Sequence, residues 1–265
     1  MPGFLYQWPL WVALTLFIVT LVGCSQLVLA LVRQVRARTG EPEDHAGEFL
    51  TVMVHSMFVF YGLISALIAV NVYETYSEVY RTVSREAAAI SALYRDSAGY
   101  PEPTRSEVQG SIRDYIQQII HEAFPQQKRG QIPTGGVGLV TRIEEHLFAF
   151  EPATEGQKII HTETLREFNE MAVARRLRVD ANREHLPGMM WAVLIFGALL
   201  CLFGASLFHV RSHGFHAFML GLLGVLIAVV LFMTFVWDRP YLGEAGIDAG
   251  TYELVYDQLM RPENP

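Results

Sequence analysis

The sequence predicts an all-α integral membrane protein with four transmembrane helices and a helical soluble domain inserted between the second and third spans. Four long runs of the chain contain no Asp, Glu, Lys or Arg, and about 20 apolar residues suffice to span a bilayer as a helix. In hydrocarbon every backbone polar group needs an internal partner, so each run is expected to be helical. The runs cover residues 1–32, 49–73, 185–210 and 212–237.

The spans and the breaks between them predict four regions. Each region differs from the next in charge and in Gly and Pro content. The regions are residues 1–73 (spans one and two with a short loop), 74–187 (the soluble domain), 188–237 (spans three and four) and 238–265 (an acidic tail with a short helix at 249–261).

The soluble domain carries 14 Lys and Arg against 17 Asp and Glu, so it is close to charge-balanced. No Gly or Pro occurs between Leu63 and Ala98, which predicts that the second span continues into the domain as far as about Ser97. Thr104 and Glu107 have the spacing of a capping box, so a helix is expected to start there. Further helices are predicted at 104–123, 140–149 and 153–183.

A heptad-like seam follows one face of the extended second helix, since seven residues recur at spacings of three and four. Two partners fit this seam: other helices of the same domain, or the same helix in neighbouring subunits around a shared axis. The seam consists of Tyr73, Tyr76, Tyr80, Val83, Ala87, Ile90 and Tyr94.

Glu74 and Glu78 lie where the second span should leave the membrane. They form either a solvated helix face or, if several copies surround an axis, rings of carboxylates that concentrate cations. Ile64 and Ile68 are then candidates for an apolar constriction further in. His55 and Asn71 complete the set of pore candidates, because polar groups inside a span are costly unless they pair or face water.

No constellation in the sequence indicates an enzyme: there is no Gly-rich phosphate loop, nucleophile elbow or Cys-pair metal site. No cofactor is predicted. His209, His213 and His216 are weak metal candidates, and a membrane haem or redox protein would depend on them. The place of His209 and His213 around the turn between spans three and four favours interfacial histidines over metal ligands.

The side of the membrane that holds the soluble domain stays open. Arginines in short loops favour the cytoplasm, which would put the large domain outside, yet more arginines flank the spans on the domain side. The short-loop set is Arg33, Arg36, Arg38 and Arg211; the domain-side set is Arg81, Arg85, Arg175, Arg176, Arg178 and Arg183.

These patterns resemble the bestrophin-like family of bacterial four-span membrane proteins, which is distantly similar to bestrophin channels. The resemblance covers nearly the whole chain. The matching residues are Tyr76, Tyr80, Val83, Glu86 and Ala87, then Leu93, Arg95, Pro101 and Arg113-Asp114-Tyr115, and finally Asp238-Arg239-Pro240-Tyr241.

The resemblance implies a pentameric channel whose second span lines the pore. The tail has only scattered Asp and Glu rather than a long acidic calcium clasp, so calcium gating is not carried over. The leading hypothesis is a homo-oligomeric ion channel in the bacterial inner membrane, in contact with lipid and inorganic ions and with a slight preference for cations. The alternative is a non-conducting receptor or scaffold whose helical domain senses a ligand or partner. No nucleic-acid partner is expected.

Overall fold

The structure of the protein is a computed structural model that describes residue 6, residues 8–39 and residues 46–261. Over those residues the chain is helical, and the all-α prediction is confirmed. The α-helices are α1 (Leu10–Thr39), α2 (Ala46–Asp96), α3 (Thr104–Gln118), α4 (Phe124–Lys128), α5 (Val137–Phe148), α6 (Glu155–Asp180), α7 (Gly188–Ser206), α8 (His213–Trp237) and α9 (Gly250–Val255).

Four of these helices are long and apolar enough to cross a membrane, as the four uncharged runs predict. Within the described part of the chain these spans are Leu10–Arg38, Glu48–Gly99, Gly188–Ser206 and His213–Trp237. The unbroken second helix is also confirmed, because α2 runs over 51 residues without interruption.

The chain folds into two compact units. Unit 1 holds α1, α7, α8 and the first part of α2. Unit 2 holds the rest of α2, helices α3 to α6 and most of the segment after α8. In residue numbers, unit 1 comprises 1–75, 185–238 and 243–245, and unit 2 comprises 76–184, 239–242 and 246–265.

Unit 1 is held together by close helix–helix approaches at small residues. A Cβ added at Gly224 of α8 would lie 3.2 Å from the backbone oxygen of Leu21 in α1. The side chain of Gln26 crosses the same interface and donates from Nε2 to the Ala217 oxygen at 3.0 Å. Small residues and interhelical hydrogen bonds are the usual means by which spans associate in lipid, where the hydrophobic effect between helices is absent.

The described residues of unit 2 form one apolar core, into which part of the predicted seam is buried. Val83, Ala87 and Ile90 of α2 are at most 1% exposed. They pack with residues of the other helices of the unit, including Ile112, Ile116, Ile143, Leu147 and Met171. The same-domain interpretation therefore holds for this stretch. Tyr73 and Tyr80, earlier in the seam, stay about half exposed, at 50% and 52%.

The helix that starts at Thr104 is not capped as predicted. Thr104 is already the first helical residue and Pro103 occupies the capping position without a side-chain cap, so a Thr104–Glu107 capping box is wrong. Glu102 supplies the oxygen instead, since its Oε2 accepts from the Ser106 backbone N at 3.2 Å. A capping box does occur at the start of α6, where the Thr154 hydroxyl accepts from the backbone N of Gln157.

The helix after Thr104 also extends further than its predicted end near residue 123. A five-residue π-helical turn at Ile119–Ala123 follows α3, and α4 continues directly from it to Lys128. Pro125 lies at the start of α4. The helical run continues through Pro125 although proline has no backbone N–H, so one intrahelical hydrogen bond is missing there.

Candidate functional site

The membrane-spanning part of α2 is the least covered of the four spans. Only 11% of its most apolar window is buried, against 39% in α8. One side of the helix faces α7: a Cβ at Gly204 would lie 3.2 Å from Val54, and one at Gly197 would lie 2.6 Å from the Tyr61 ring. The opposite side carries a row of exposed apolar residues, among them Phe60, Leu63 and Leu67 at 57–66% exposure.

Most of the predicted pore residues lie on the uncovered part of α2. Ile64, Asn71 and Glu78 are exposed, and their spacing of seven residues, two helical turns, places them on one face. Glu74, also exposed, projects beside them. Ile68 is half-buried. It lies seven residues after Tyr61, so it projects towards the side that faces α7.

Two arginines share the charged part of this face. Arg81 and Arg85 are exposed and follow Glu74 and Glu78 within two helical turns. Within the described residues, neither arginine lies within ion-pair distance of a carboxylate. The exposed face therefore carries two carboxylates followed by two guanidinium groups, a balance that counting the acidic residues alone does not reveal.

The histidines do not assemble into a metal site. His209 and His213 are exposed, whereas His216 is buried with its Nε2 3.3 Å from the Ala205 oxygen. His55 is exposed on α2. Among the described residues no group of three or more His, Cys, Asp or Glu side chains has metal-binding geometry.

A buried charge network lies at the centre of unit 2. Arg178 of α6 donates from Nε to Oε2 of Glu86 in α2 at 2.6 Å, and from Nη1 to Oε1 of Gln127 at 3.0 Å. The Tyr115 hydroxyl donates to Glu86 Oε1 at 2.6 Å and the Tyr252 hydroxyl to Oε2 at 3.0 Å. All five side chains are at most 2% exposed, so solvent does not screen the pair.

The surroundings keep this network in one protonation state. Burial, and then the nearby Glu86 carboxylate, raise the pKa of the Tyr115 and Tyr252 hydroxyls well above the ordinary range, so both remain neutral donors. Burial, the largest single influence, would lower the pKa of Arg178, but attraction to Glu86, the Tyr252 and Tyr115 hydroxyls and the hydrogen bond to Glu86 together raise that pKa well above its ordinary value. The arrangement has a fully satisfied carboxylate and no open coordination position. It is a rigid brace rather than a reactive centre.

Glu86 belongs to the family motif in the sequence, but its partners in the core were not predicted. Arg178 was counted among the arginines that flank the membrane, and its burial corrects that count. One signal was available: Met171, Ala174 and Arg178 recur at spacings of three and four, and all three are buried. This spacing puts the arginine on the core side of α6, where only a carboxylate could balance it.

Three other motif residues, Asp238, Pro240 and Tyr76, make contacts that stabilise the fold. Asp238 is buried at the end of α8 and accepts from the Leu186 backbone N at 2.5 Å and from Trp191 Nε1 at 3.2 Å. The Pro240 oxygen accepts from the backbone N of Ile247 at 2.8 Å. Tyr76 packs against the core of unit 2.

The family model of the Bestrophin-like domain matches residues 9–252. The chain belongs to the bestrophin-like family. No curated protein matches the sequence.

Solved structures support the same fold for this bestrophin-like chain. A crystal structure of a bacterial Bestrophin homolog from Klebsiella pneumoniae, a point mutant, aligns with a TM-score of 0.67 and 10% identity over 93% of this chain and 97% of that one. A second point mutant of a bacterial Bestrophin homolog from the same organism gives a TM-score of 0.63 at 8% identity over the same shares. At such identities the likeness establishes the fold alone.

Proposed function

We propose that the bestrophin-like chain is one subunit of a homo-oligomeric ion channel and that α2 lines its permeation pathway. The observation that carries this proposal is the uncovered face of α2, which is apolar over Phe60–Leu67 and then becomes polar and charged at Asn71, Glu74 and Glu78. A solitary span would expose Asn71 to lipid at considerable cost. Around a water-filled axis the Asn71 side chain would be hydrated. His55 lies 16 residues before Asn71 on the same helix, so it projects about 160° away from Asn71 and would not face that axis.

The family and the bacterial Bestrophin homologs of the same fold support an oligomer. We propose a pentamer, following the resemblance to bestrophin channels, placed in the bacterial inner membrane as a multi-pass protein. Unit 2, with its braced core, would then form a vestibule through which ions reach the pathway.

Ile64 is our candidate for the apolar constriction, with Leu67 beside it on the exposed face of α2. A ring of such side chains can close a pathway by excluding water from it. Ile68, turned towards α7, would lie at the edge of that constriction rather than within it.

We propose a slight preference for cations, because Glu74 and Glu78 would form carboxylate rings where the pathway leaves the membrane. Arg81 and Arg85 moderate this preference, since they would form a basic ring within two turns of the acidic one. Neutralising Glu74 and Glu78 should lower the cation-to-anion permeability ratio. Neutralising Arg81 and Arg85 should raise it.

Flux through liposomes tests the proposal. The purified protein is reconstituted, and the flux of K⁺, Na⁺ and Cl⁻ is measured for wild type, Glu74→Gln, Glu78→Gln and the double variant. We expect ion flux in wild type and a lower K⁺/Cl⁻ permeability ratio in the variants.

Glu151→Gln is the matched control, because Glu151 is an exposed carboxylate in the loop before α6. It should leave the ratio unchanged. Absence of flux for every ion would contradict the channel and favour the receptor or scaffold. Flux with an unchanged ratio in the double variant would remove Glu74 and Glu78 from the pathway.

A further inference from the structure

The part of α2 that belongs to unit 2 carries opposite charges on its exposed face. Glu78 and Arg81, three residues apart, are both exposed. Residues at this spacing can pair within one helix. In this structure, however, neither side chain lies within ion-pair distance of the other or of any other charged group among the described residues. Two opposite charges are therefore left unneutralised on the surface of one subunit.

These two side chains project to opposite flanks of the exposed face. Successive residues of an α-helix are turned by about 100°, so Glu78 and Arg81 point about 60° apart, and Arg81 lies about 4.5 Å further along the helix. Glu74 comes four residues before Glu78 and Arg85 four residues after Arg81, and both are exposed. Each is turned by about 40° towards the middle of the face. The order across the face is thus Glu78 on one flank, Glu74 and Arg85 in the middle, and Arg81 on the other flank.

This order is complementary to itself in a closed ring. In cyclic symmetry every contact joins one flank of a subunit to the opposite flank of the next subunit. With the middle of the face turned to the axis, Glu78 points towards one neighbour and Arg81 towards the other. All copies of α2 lie at the same level by symmetry, so Glu78 of one subunit and Arg81 of the next are offset by only about 4.5 Å along the axis.

Tyr80 adds aromatic surface to the flank that carries Arg81. It belongs to the heptad-like seam but is 52% exposed, whereas Val83 and Ile90 of the same seam are buried in the core of unit 2. It points about 100° from Arg81, on the side away from Glu78. Aromatic residues and arginine are enriched in protein interfaces. This flank therefore has the composition of a contact surface as well as the charge of one.

We propose that Glu78 forms an ion pair with Arg81 of the neighbouring subunit, that Tyr80 packs beside the pair, and that this contact repeats at every interface of the ring. It rests on the homo-oligomer proposed above and identifies a second copy of this chain as the partner of both flanks. Glu74 and Arg85 stay directed at the pathway. Glu78→Gln then lowers the cation preference by leaving Arg81 unneutralised, and Glu74→Gln lowers it by removing a carboxylate from the pathway.

Charge reversal in the full-length protein tests the contact. Glu78→Arg and Arg81→Glu each place like charges at every interface, and like charges facing each other in an interface cost several kcal/mol. The mass of the purified protein in detergent is measured over a dilution series. We expect each single variant to need a protein concentration higher by about tenfold or more for half-assembly. The double variant Glu78→Arg/Arg81→Glu restores opposite charges at every interface and should assemble as wild type does.

Co-expression of the two single variants separates a contact between subunits from one within a helix. Where a Glu78→Arg subunit meets an Arg81→Glu subunit, the facing charges are again opposite, although each helix keeps two like charges. Differently tagged copies of the two variants should therefore co-purify as oligomers at dilutions at which neither variant assembles alone. Rescue by the double variant without this co-assembly would place the pair within one helix and overturn the proposal.

Two matched controls reverse exposed charges elsewhere: Arg95→Glu in the last turn of α2 and Glu151→Arg in the loop before α6. Both should assemble as wild type does. Single variants of Glu78 and Arg81 that also assemble like an oligomeric, conducting wild type would overturn the ion pair and leave the channel standing. A monomeric wild type would overturn the homo-oligomer and this contact together.

Discussion

Arg178 and Glu86, 92 positions apart in the sequence, form a two-point ion pair in the core of unit 2, with Nε to Oε2 at 2.6 Å and Nη2 to Oε1 at 3.3 Å. The side chains are 2% and 0% exposed. Each charge is tolerated in the core only because the other is present.

Replacing one partner of this pair should destabilise the protein strongly. Glu86→Gln leaves the Arg178 charge buried and unneutralised, and we expect it to lower the free energy of unfolding by about 3–5 kcal/mol. Chemical unfolding in detergent measures the loss. Glu163→Gln is the control, because its pair with Arg166 is about half exposed and screened by water, so its loss should change the free energy of unfolding little. Equal effects of the two substitutions would show that the buried pair is not required.

Acidification should destabilise unit 2 through His161. Its Nδ1 lies 2.8 Å from the Tyr100 hydroxyl, and burial lowers the pKa of the imidazole below its ordinary value. A group whose pKa is lower in the folded state binds protons more readily when unfolded. Its stability contribution is therefore complete above the unfolded pKa, about 6.5, and is lost as the pH falls through the folded pKa.

Melting curves between pH 8 and pH 5 test this expectation. Wild type should lose stability in the acidic part of the range, and His161→Gln should lose less. His121→Gln alters an exposed histidine and should follow wild type. A His161→Gln profile that superposes on wild type would contradict the assignment.

Thiol accessibility separates a water-filled pathway from a lipid-facing surface along α2. In a background with Cys24→Ser and Cys201→Ala, Ile64→Cys and Asn71→Cys should react with a charged, membrane-impermeant thiol reagent, and flux should fall. Val54→Cys is the control, since Val54 is 3% exposed. Its reaction should be slower by on the order of tenfold, because the buried thiol resists ionisation and access. Failure of Ile64→Cys and Asn71→Cys to react would mean that this face meets lipid.

Two glycine-to-alanine substitutions should change the free energy of unfolding in opposite directions. A Cβ at Gly246 would lie 2.7 Å from the carbonyl carbon and oxygen of Tyr241, so Gly246→Ala should cost about 1–3 kcal/mol in backbone displacement. Gly110, inside α3, has open space around its Cβ direction, and Gly110→Ala should stabilise by about 0.5–1 kcal/mol through helix propensity. Thermal unfolding distinguishes them. A neutral Gly246→Ala would mean that residues 241–246 shift easily.

The four spans could be predicted because each is an uncharged run of the sequence. The unbroken α2 could be predicted because its second half contains no Gly or Pro. The end of this helical run at Lys128 could not be predicted. Pro125 indicates a helix end in the sequence unless the π-helical turn before it is known.

The partners of Glu86 were beyond prediction for a different reason. Sequence spacing indicates which side of a helix is buried, but not which distant side chain meets it there. The sequence likewise does not show which face of α2 is uncovered. The hydropathy of a residue is the same whether it contacts lipid, another subunit or a closed pathway.

The core of unit 2 includes Tyr241 and Tyr252, which lie after α8. The Tyr241 hydroxyl donates to the Arg178 oxygen at 3.1 Å, and the Tyr252 hydroxyl completes the shell of Glu86. During synthesis α2 to α6 therefore leave the ribosome well before the residues that close their core. The Glu86 carboxylate and the Arg178 guanidinium therefore remain incompletely enclosed until α7 and α8 have been synthesised and residue 252 has left the ribosome. A translocation machinery that stalls between α7 and α8 would leave this unit open to proteolysis.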